Sequence, residues 1–405
     1  MKKKLPSPIK YIITSVIAFL VVGFYALVCF NLSFLGPVQR ALNNFSMTDV
    51  YYQILQSTGA ADTSSLITIV DMTDLPDRAA IASGLQDIVD AGPKAVGIDI
   101  VFEGLKPDTL SDEWLREIAS TNDFITWSFK LLDYDGPTQQ YTDEVHSFFA
   151  ADIAGKEGYT NMPRDLYEGV KRKTPVGRML NGRMVTSWVN SVADTYAGAP
   201  LMPITVSDIN INFRPQVFPT LHASEVIANP DLIKDRIVCY GTMKEETDMH
   251  YCPLGKIPGV ELLAYAVNTV VQHSSVRLLP LWLTLLLSLV IVVLTEWMVV
   301  SYCRAVADRV DNDYWRTFML SAIVVGFIKF LWMAILTYIG FMVFALWHVS
   351  VNLGWAFSAI AFLYTAEQFY KVVFEPDHKV HALAQRLMWQ TTAQLPAAGT
   401  GEAEK

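Results

Sequence analysis

The chain has 405 residues, 52% of them hydrophobic and 18% charged, with a formal net charge of −9. That is too apolar for an ordinary soluble protein, and the acidic balance argues against nucleic acid as a partner. No internal repeat is visible, and the one low-complexity piece is the tail LPAAGTGEAEK.

The apolar excess sits toward the two ends. A helical span needs about 20 mostly apolar residues. YIITSVIAFLVVGFYALVCFNL (11–32) and LPLWLTLLLSLVIVVLTEWMVVSY (279–302) each qualify. TFMLSAIVVGFIKFLWMAILTYIGF (317–341) and FALWHVSVNLGWAFSAIAFLYTAEQF (344–369) read as two more, with a tight turn near Gly340. Four spans place three basic groups on one side: Lys2, Lys3, Lys4 and Lys10; Arg304, Arg309 and Arg316; Lys371, Lys379 and Arg386. The positive-inside rule makes that side the cytoplasm, so segments 1–10, 303–316 and 370–405 are expected inside and a 33–278 domain outside. The apolar core of the first segment is longer than the usual signal-peptide core of about 7–15 residues. Val28 precedes Cys29 where a lipoprotein site needs a small residue, so an uncleaved anchor is expected.

Between the anchors the composition is globular, and elements follow in order. SLITIVDM (65–72) is a strand running into Asp71. PDRAAIASGLQDIVDAG (76–92) has Ile81, Leu85, Ile88 and Val89 at helical spacing, with Gly92 as a stop. KAVGIDIVF (94–102), which contains Asp99, is a second strand. Strand, helix, strand is a βαβ unit, and its two strands are expected to be parallel neighbours. DEWLREIAST (112–121) reads as a helix and FITWSFKLL (124–132) as a third strand. SWVNSVADTYAG (187–198) is a helix, DRIVCYGTM (235–243) a buried strand, and PGVELLAYAVNTVVQHSSV (258–276) a long helix leading to the second span. The expected fold is an α/β extracytoplasmic domain, with a mixed, largely parallel sheet and flanking helices, plus four transmembrane α-helices.

Chemistry is sparse. Asp71, Asp99 and Thr242 lie at or near carboxyl ends of predicted strands, and Glu103 follows the second strand. That edge of an open α/β sheet is where ligands bind, although an acid there also serves as a cap. In EETDMHYCPLG (245–255), Asp248, His250 and Cys252 alternate, and an extended segment puts them on one side. With Glu246 they form a possible transition-metal set; a pocket wall and a loop brace are the competing readings. The candidate ligand-binding residues are Asp71, Asp99, Glu103, Thr242, Asp248 and His250, with no metal and no cofactor assigned. Cys239 and Cys252 could be bridged in an oxidising compartment or remain separate buried thiols. Ser187 and Ser191 lie on a predicted helix, and no nucleophile elbow, P-loop or dinucleotide fingerprint occurs, so no enzyme is expected. Lys171, Arg172, Lys173, Arg178 and Arg183 form the basic cluster of the middle segment, read as a solvated face or a site for an anion. Within the spans, Glu296 and Lys329 are expected to pair with each other or to contact another membrane subunit.

Taken together, several stretches in order resemble the CHASE type 2 domain, a bacterial extracytoplasmic sensor associated with cyclases and histidine kinases. They are LITIVDMTD (66–74), DIVDAGPKAVGIDIVFEG (87–104), YEGVKRKTP (167–175), INFRPQVFPTLHASEVI (211–227) and IKDRIVCYGTMKEETDMHYCPLGKIPGVELLAYAVNTVV (233–271). The resemblance implies one span, a sensor and three further spans in the bacterial inner membrane, and an acid with a nearby His as a pocket wall beside a strand end. Members of this family usually carry a cyclase or kinase after the last span, whereas the stretch after Tyr370 shows only DHKVHALAQRLMWQ with His378 and His381. The expectation is a sensor that binds a small ligand or a partner and relays to a separate signalling or membrane protein through helix 258–276. A structural docking subunit of an envelope complex is the alternative. A homodimer is a fair prior, membrane lipid is the expected surroundings, and transport has little support.

Overall fold

The computed structural model describes residues 8–31, 47–59, 61–153, 156–163 and 169–374. Lys2, Lys3, Lys4, His378, Lys379, His381 and Arg386 lie outside them, so the readings placed on those residues do too. The chain divides into two units: residues 40–277 with 347–349, and the remaining residues. The helices in chain order are α1 (Pro8–Asn31), α2 (Met47–Ser57), α3 (Arg78–Asp90), α4 (Thr109–Thr121), α5 (Trp188–Ala197), α6 (Gly259–Val271), α7 (Leu281–Arg309), α8 (Asp313–Met319), α9 (Ala322–Trp347) and α10 (Gly354–Phe374).

The 40–277 unit is built on a sheet. Its strands are β1 (Ile67–Asp71), β2 (Ala95–Ile98), β3 (Ile125–Asp135), β4 (Gln140–Val145), β5 (Glu157–Tyr159), β6 (Gly177–Leu180), β7 (Arg183–Thr186), β8 (Thr220–His222) and β9 (Ile237–Gly241). The order is β8-β1-β9-β2-β3, all parallel, with β5 parallel to β3 on its far side. Beyond Lys130, β3 pairs antiparallel with β4, and β6 and β7 continue from there. The sheet is therefore mixed and largely parallel. One expectation is corrected: β1 and β2 are not neighbours, because β9 lies between them, Cys239 opposite Ile69 on one side and Gly97 on the other. All five residues of β9 are buried, which suits an uninterrupted apolar strand to a place between two others.

Local signals account for the helices. Asp77 caps α3 by accepting from the Ala80 N–H at 2.9 Å, and Leu85 and Ile88 turn inward. Ser187 caps α5, and Gly198 closes it in the left-handed conformation. One sheet face packs on α3 and α4 through Leu85, Ile88, Leu115, Ile98, Trp127 and Phe149, with Trp127 and Phe149 edge to face at 4.6 Å. α5 and α6 pack on the sheet as well. At Gly97 the ring of Trp188 from α5 occupies the space a Cβ would need, and its indole N–H donates to the Ile98 carbonyl at 3.0 Å. Only glycine lets that ring lie on the strand.

In the other unit, α1, α7 and α9 are long and apolar enough to cross a membrane. α10 buries Ala356, Ala359, Ile360, Leu363 and Ala366 in a cluster with Ala18 and Val22 of α1 and Ile291 and Val292 of α7. Small residues at that spacing let helix backbones approach closely. The turn expected near Gly340 is not there. α9 runs through Gly340 to Trp347, and the break falls at 348–353, where the Asn352 side chain accepts from the Gly354 N–H at 3.0 Å.

Candidate functional site

The carboxyl ends of β1, β2, β9 and β5 gather at one edge of the sheet, and a cavity of about 430 Å³ lies there. Its walls include Asp99 just past β2, Ser128 and Lys130 on β3, Thr160 and Met162 past β5, Thr242 past β9, and Gly259 and Leu263 on α6. Asp248 and His250 close it from the hairpin β10 (Met249–Cys252) and β11 (Gly255–Pro258) and the turn before it.

Four of the six expected ligand residues meet here: Asp99, Thr242, Asp248 and His250. Asp99 is the first residue beyond its strand, and its backbone N–H donates to the Tyr240 carbonyl at 2.9 Å. Its carboxyl takes no hydrogen bond or ion pair among the described residues. Burial, together with the neighbouring Asp248 carboxylate, pushes it up to about 7, against the opposing pull of Lys130 and His250. Asp248 lies against the first turn of α6. A Cβ on Gly259 would collide with both of its carboxylate oxygens, so glycine there permits an acid at the positive end of the helix. His250 Nε2 stands 3.4 Å from Asp248 Oδ1.

Asp71 and Glu103 do not join the group. Asp71, buried, accepts from the Thr73 N–H at 2.9 Å, from the Thr73 hydroxyl, and from the Met243 N–H at 3.2 Å. It therefore pins the loop after β9 to the loop after β1. The Glu103 side chain is exposed, while its backbone N–H donates to the Val101 carbonyl at 3.2 Å and its carbonyl accepts from the Arg78 guanidinium at 2.9 Å. Arg78 also pairs with buried Asp112 at 2.6 Å, which braces that loop on α4.

Two cavity residues carry no flag in the sequence beyond alternation. In FITWSFKLL, Thr126, Ser128 and Lys130 share one face of β3 while Trp127, Phe129 and Leu131 take the other, and that period-two pattern is the signal that points to them. Ser128 is 0% exposed, and its hydroxyl has no hydrogen-bond partner among the described residues. A buried hydroxyl without a partner costs stability, so it calls for something to bond to. Asn161, by contrast, is spent on the backbone, bonding both N–H and C=O of Leu131 at 2.7 and 3.0 Å.

Three readings that the sequence left open are narrowed. Cys239 and Cys252 are free thiols. Cys239 sits mid-sheet in β9 and Cys252 at the hairpin end, and burial pushes the first well up and the second up to about 11. Asp248, His250 and Cys252 do not form a metal set. Cys252 is outside the cavity, and among the described residues no three His, Cys, Asp or Glu side chains converge. Glu296 and Lys329 form no ion pair among the described residues; Glu296 is buried and faces the Thr14 hydroxyl of α1. The basic cluster is dispersed onto partners: Arg172 on Asp49, Arg178 on Asp208, and Arg183 on Glu144 at 2.5 Å.

The family model described as the CHASE2 domain matches residues 18–299, more than half of the chain. No curated protein and no solved structure matches it. CHASE2 domains are sensor-type domains, in keeping with a cavity at the ligand-binding edge of an α/β sheet. This chain belongs to the CHASE2 domain family.

Proposed function

We propose that the protein is a non-catalytic membrane receptor of the bacterial inner membrane. Its 33–278 domain faces outward, binds a small ligand in the strand-end cavity, and relays the occupied state through the membrane helices to a separate output protein. The observation that carries this is the cavity itself: its wall includes Ser128, with a buried hydroxyl, and Asp99, with a carboxylate, and neither group has a hydrogen-bond partner among the described residues. A fold used only for docking gains nothing from unpaired polar groups there and is stabilised by filling the space with side chains. The proposed route of relay is α6, whose first turn, Gly259, is a cavity wall and whose chain leads on to α7. A shift of its amino end is the kind of small displacement that packed helices pass on. Four spans, with α10 as the fourth, and both termini in the cytoplasm belong to the same proposal.

The test is purification of the full-length protein from its own cells in mild detergent, with mass spectrometry of everything that accompanies it. A stoichiometric kinase, cyclase or regulatory protein is the expected companion. A stoichiometric set of envelope or membrane proteins without signalling domains would contradict the proposal and favour a structural docking subunit.

A further inference from the structure

We propose that the strand-end cavity takes a small organic cation: a protonated primary amine on a compact apolar body, its ammonium group held by Asp99 and the Ser128 hydroxyl. This rests on the receptor reading above and names the ligand class.

The charge of the cavity favours this class. Asp99 and Asp248 are both in the wall, with Glu245 at the margin, against one lysine, Lys130. Asp248 is already committed, its carboxylate against the amino end of α6 and beside His250. Asp99 is not committed to anything among the described residues. Ser128 is in the same wall, and its hydroxyl is fully buried and without a partner among the described residues, so an entering group reaches it with a small movement of the wall. A primary ammonium offers three donors and no acceptor, which suits a carboxylate and a hydroxyl lone pair together. A bare metal ion fits poorly, since no three metal-ligating side chains converge among the described residues. The apolar part of the wall, with Met72, Met162 and Leu263, gives the body of the ligand a surface to lie on.

Titration supports the geometry. Asp99 must be ionised to hold an ammonium group, so binding weakens as the pH falls below about 7, by about tenfold per unit. The charged and titratable groups facing Asp99 are Asp248, His250, Lys130 and the buried Cys239 thiol. The variant His250→Gln separates their contribution: it keeps the pH dependence if Asp99 is its source.

The experiment uses the full-length protein in lipid nanodiscs and three probes of matched shape: 2-phenylethylammonium, 2-phenylethanol and 3-phenylpropanoate. Binding is measured by calorimetry at pH 8, with Asp99→Asn and Ser128→Ala beside the wild type. The expected result is saturable binding of the ammonium probe. Asp99→Asn weakens it by about tenfold or more, and Ser128→Ala weakens it less, while the alcohol and the carboxylate bind weakly or not at all. Ser128→Ala removes a hydroxyl without a partner, so the fold survives it and lost binding is not lost structure. Tighter binding of the carboxylate or alcohol, or ammonium binding indifferent to Asp99→Asn, would overturn the ligand class and leave a ligand-binding receptor standing. If no probe binds, the class is also overturned. The small molecules released on denaturing wild type and Asp99→Asn from native cells then judge the receptor reading: a compound lost in the variant sustains it, and none in either removes it.

Discussion

β1 ends in an aspartate and β2 is followed at once by one, and the two positions have opposite designs. At the end of β1, Asp71 is surrounded by donors: the Thr73 N–H and hydroxyl and the Met243 N–H all reach it. At the end of β2, Asp99 has neighbours that repel or attract it, but no donor among the described residues. The first acid holds two loops together through one oxygen, Oδ1, while its other oxygen lies 4.0 Å from the Lys244 ammonium. The second is kept without a partner beside a cavity and a hydroxyl equally without one. An acid at a strand end is thus no sign of a site by itself; what separates the two cases is whether the neighbouring loop satisfies it.

Mutations sharpen that contrast. The largest expected effect is Asp71→Ala, which removes the buried acceptor of the Thr73 N–H and hydroxyl and leaves the Met243 N–H only the Thr73 hydroxyl oxygen. A loss of about 3 kcal/mol is expected in chemical unfolding of the full-length protein. Next is Gly259→Ala, whose methyl group displaces the Asp248 carboxylate from the start of α6. That carboxylate is the free end of a partly exposed side chain and can swing aside, so the cost in stability is under about 1 kcal/mol and the effect expected is weakened ligand binding. Unchanged binding would show that the placement of Asp248 against the helix has no bearing on the ligand.

Asp99→Asn has the reverse sign. The folded-state carboxyl keeps its proton up to about 7, while an unfolded aspartate releases it near 3.8. The folded chain therefore binds more protons within that window, and the Asp99 contribution lowers stability as the pH rises through it. The variant removes this slope. At pH 8 it is expected to be more stable by about 1 kcal/mol, since the amide still carries some burial cost. A pH profile of unfolding that runs parallel in wild type and variant would contradict the assignment. The smallest effect concerns the thiols. Reductant is expected to leave the melting temperature of the 33–278 domain unchanged, because Cys239 and Cys252 are already free; a drop of several degrees would show a bridge.

Much of this architecture was legible before the structure. β1, β2, β3 and β9 announce themselves as β-branched apolar runs, and α3 as a helical spacing with a clear stop at Gly92; α6 was legible as a helix, but it ends at Val271 and does not run to 276. The position of β9 between β1 and β2 was not legible. Neighbour relations among parallel strands depend on contacts far apart in the chain, and no local pattern encodes them. Gly340 misled because glycine is common inside membrane-type helices and need not end one. The actual break needed a side-chain cap at Asn352. In the site, Asp99, Asp248 and His250 stood out as polar residues in apolar surroundings. Ser128 and Lys130 hid in a strand, where polar residues at alternate positions ordinarily face water. Only the placement of β5, α6 and the β10–β11 hairpin shows that these two face a cavity instead.

The measurement closest to the central claim is mass spectrometry of small molecules released on denaturing the full-length protein, purified from its own cells as wild type, Asp71→Asn and Asp99→Asn. The account predicts one compound near stoichiometric amounts in wild type, retained in whatever fraction of Asp71→Asn remains folded, and absent from Asp99→Asn. Equal recovery from folded wild type and Asp99→Asn, or loss from folded Asp71→Asn alone, would contradict the assignment of the ligand site to the end of β2.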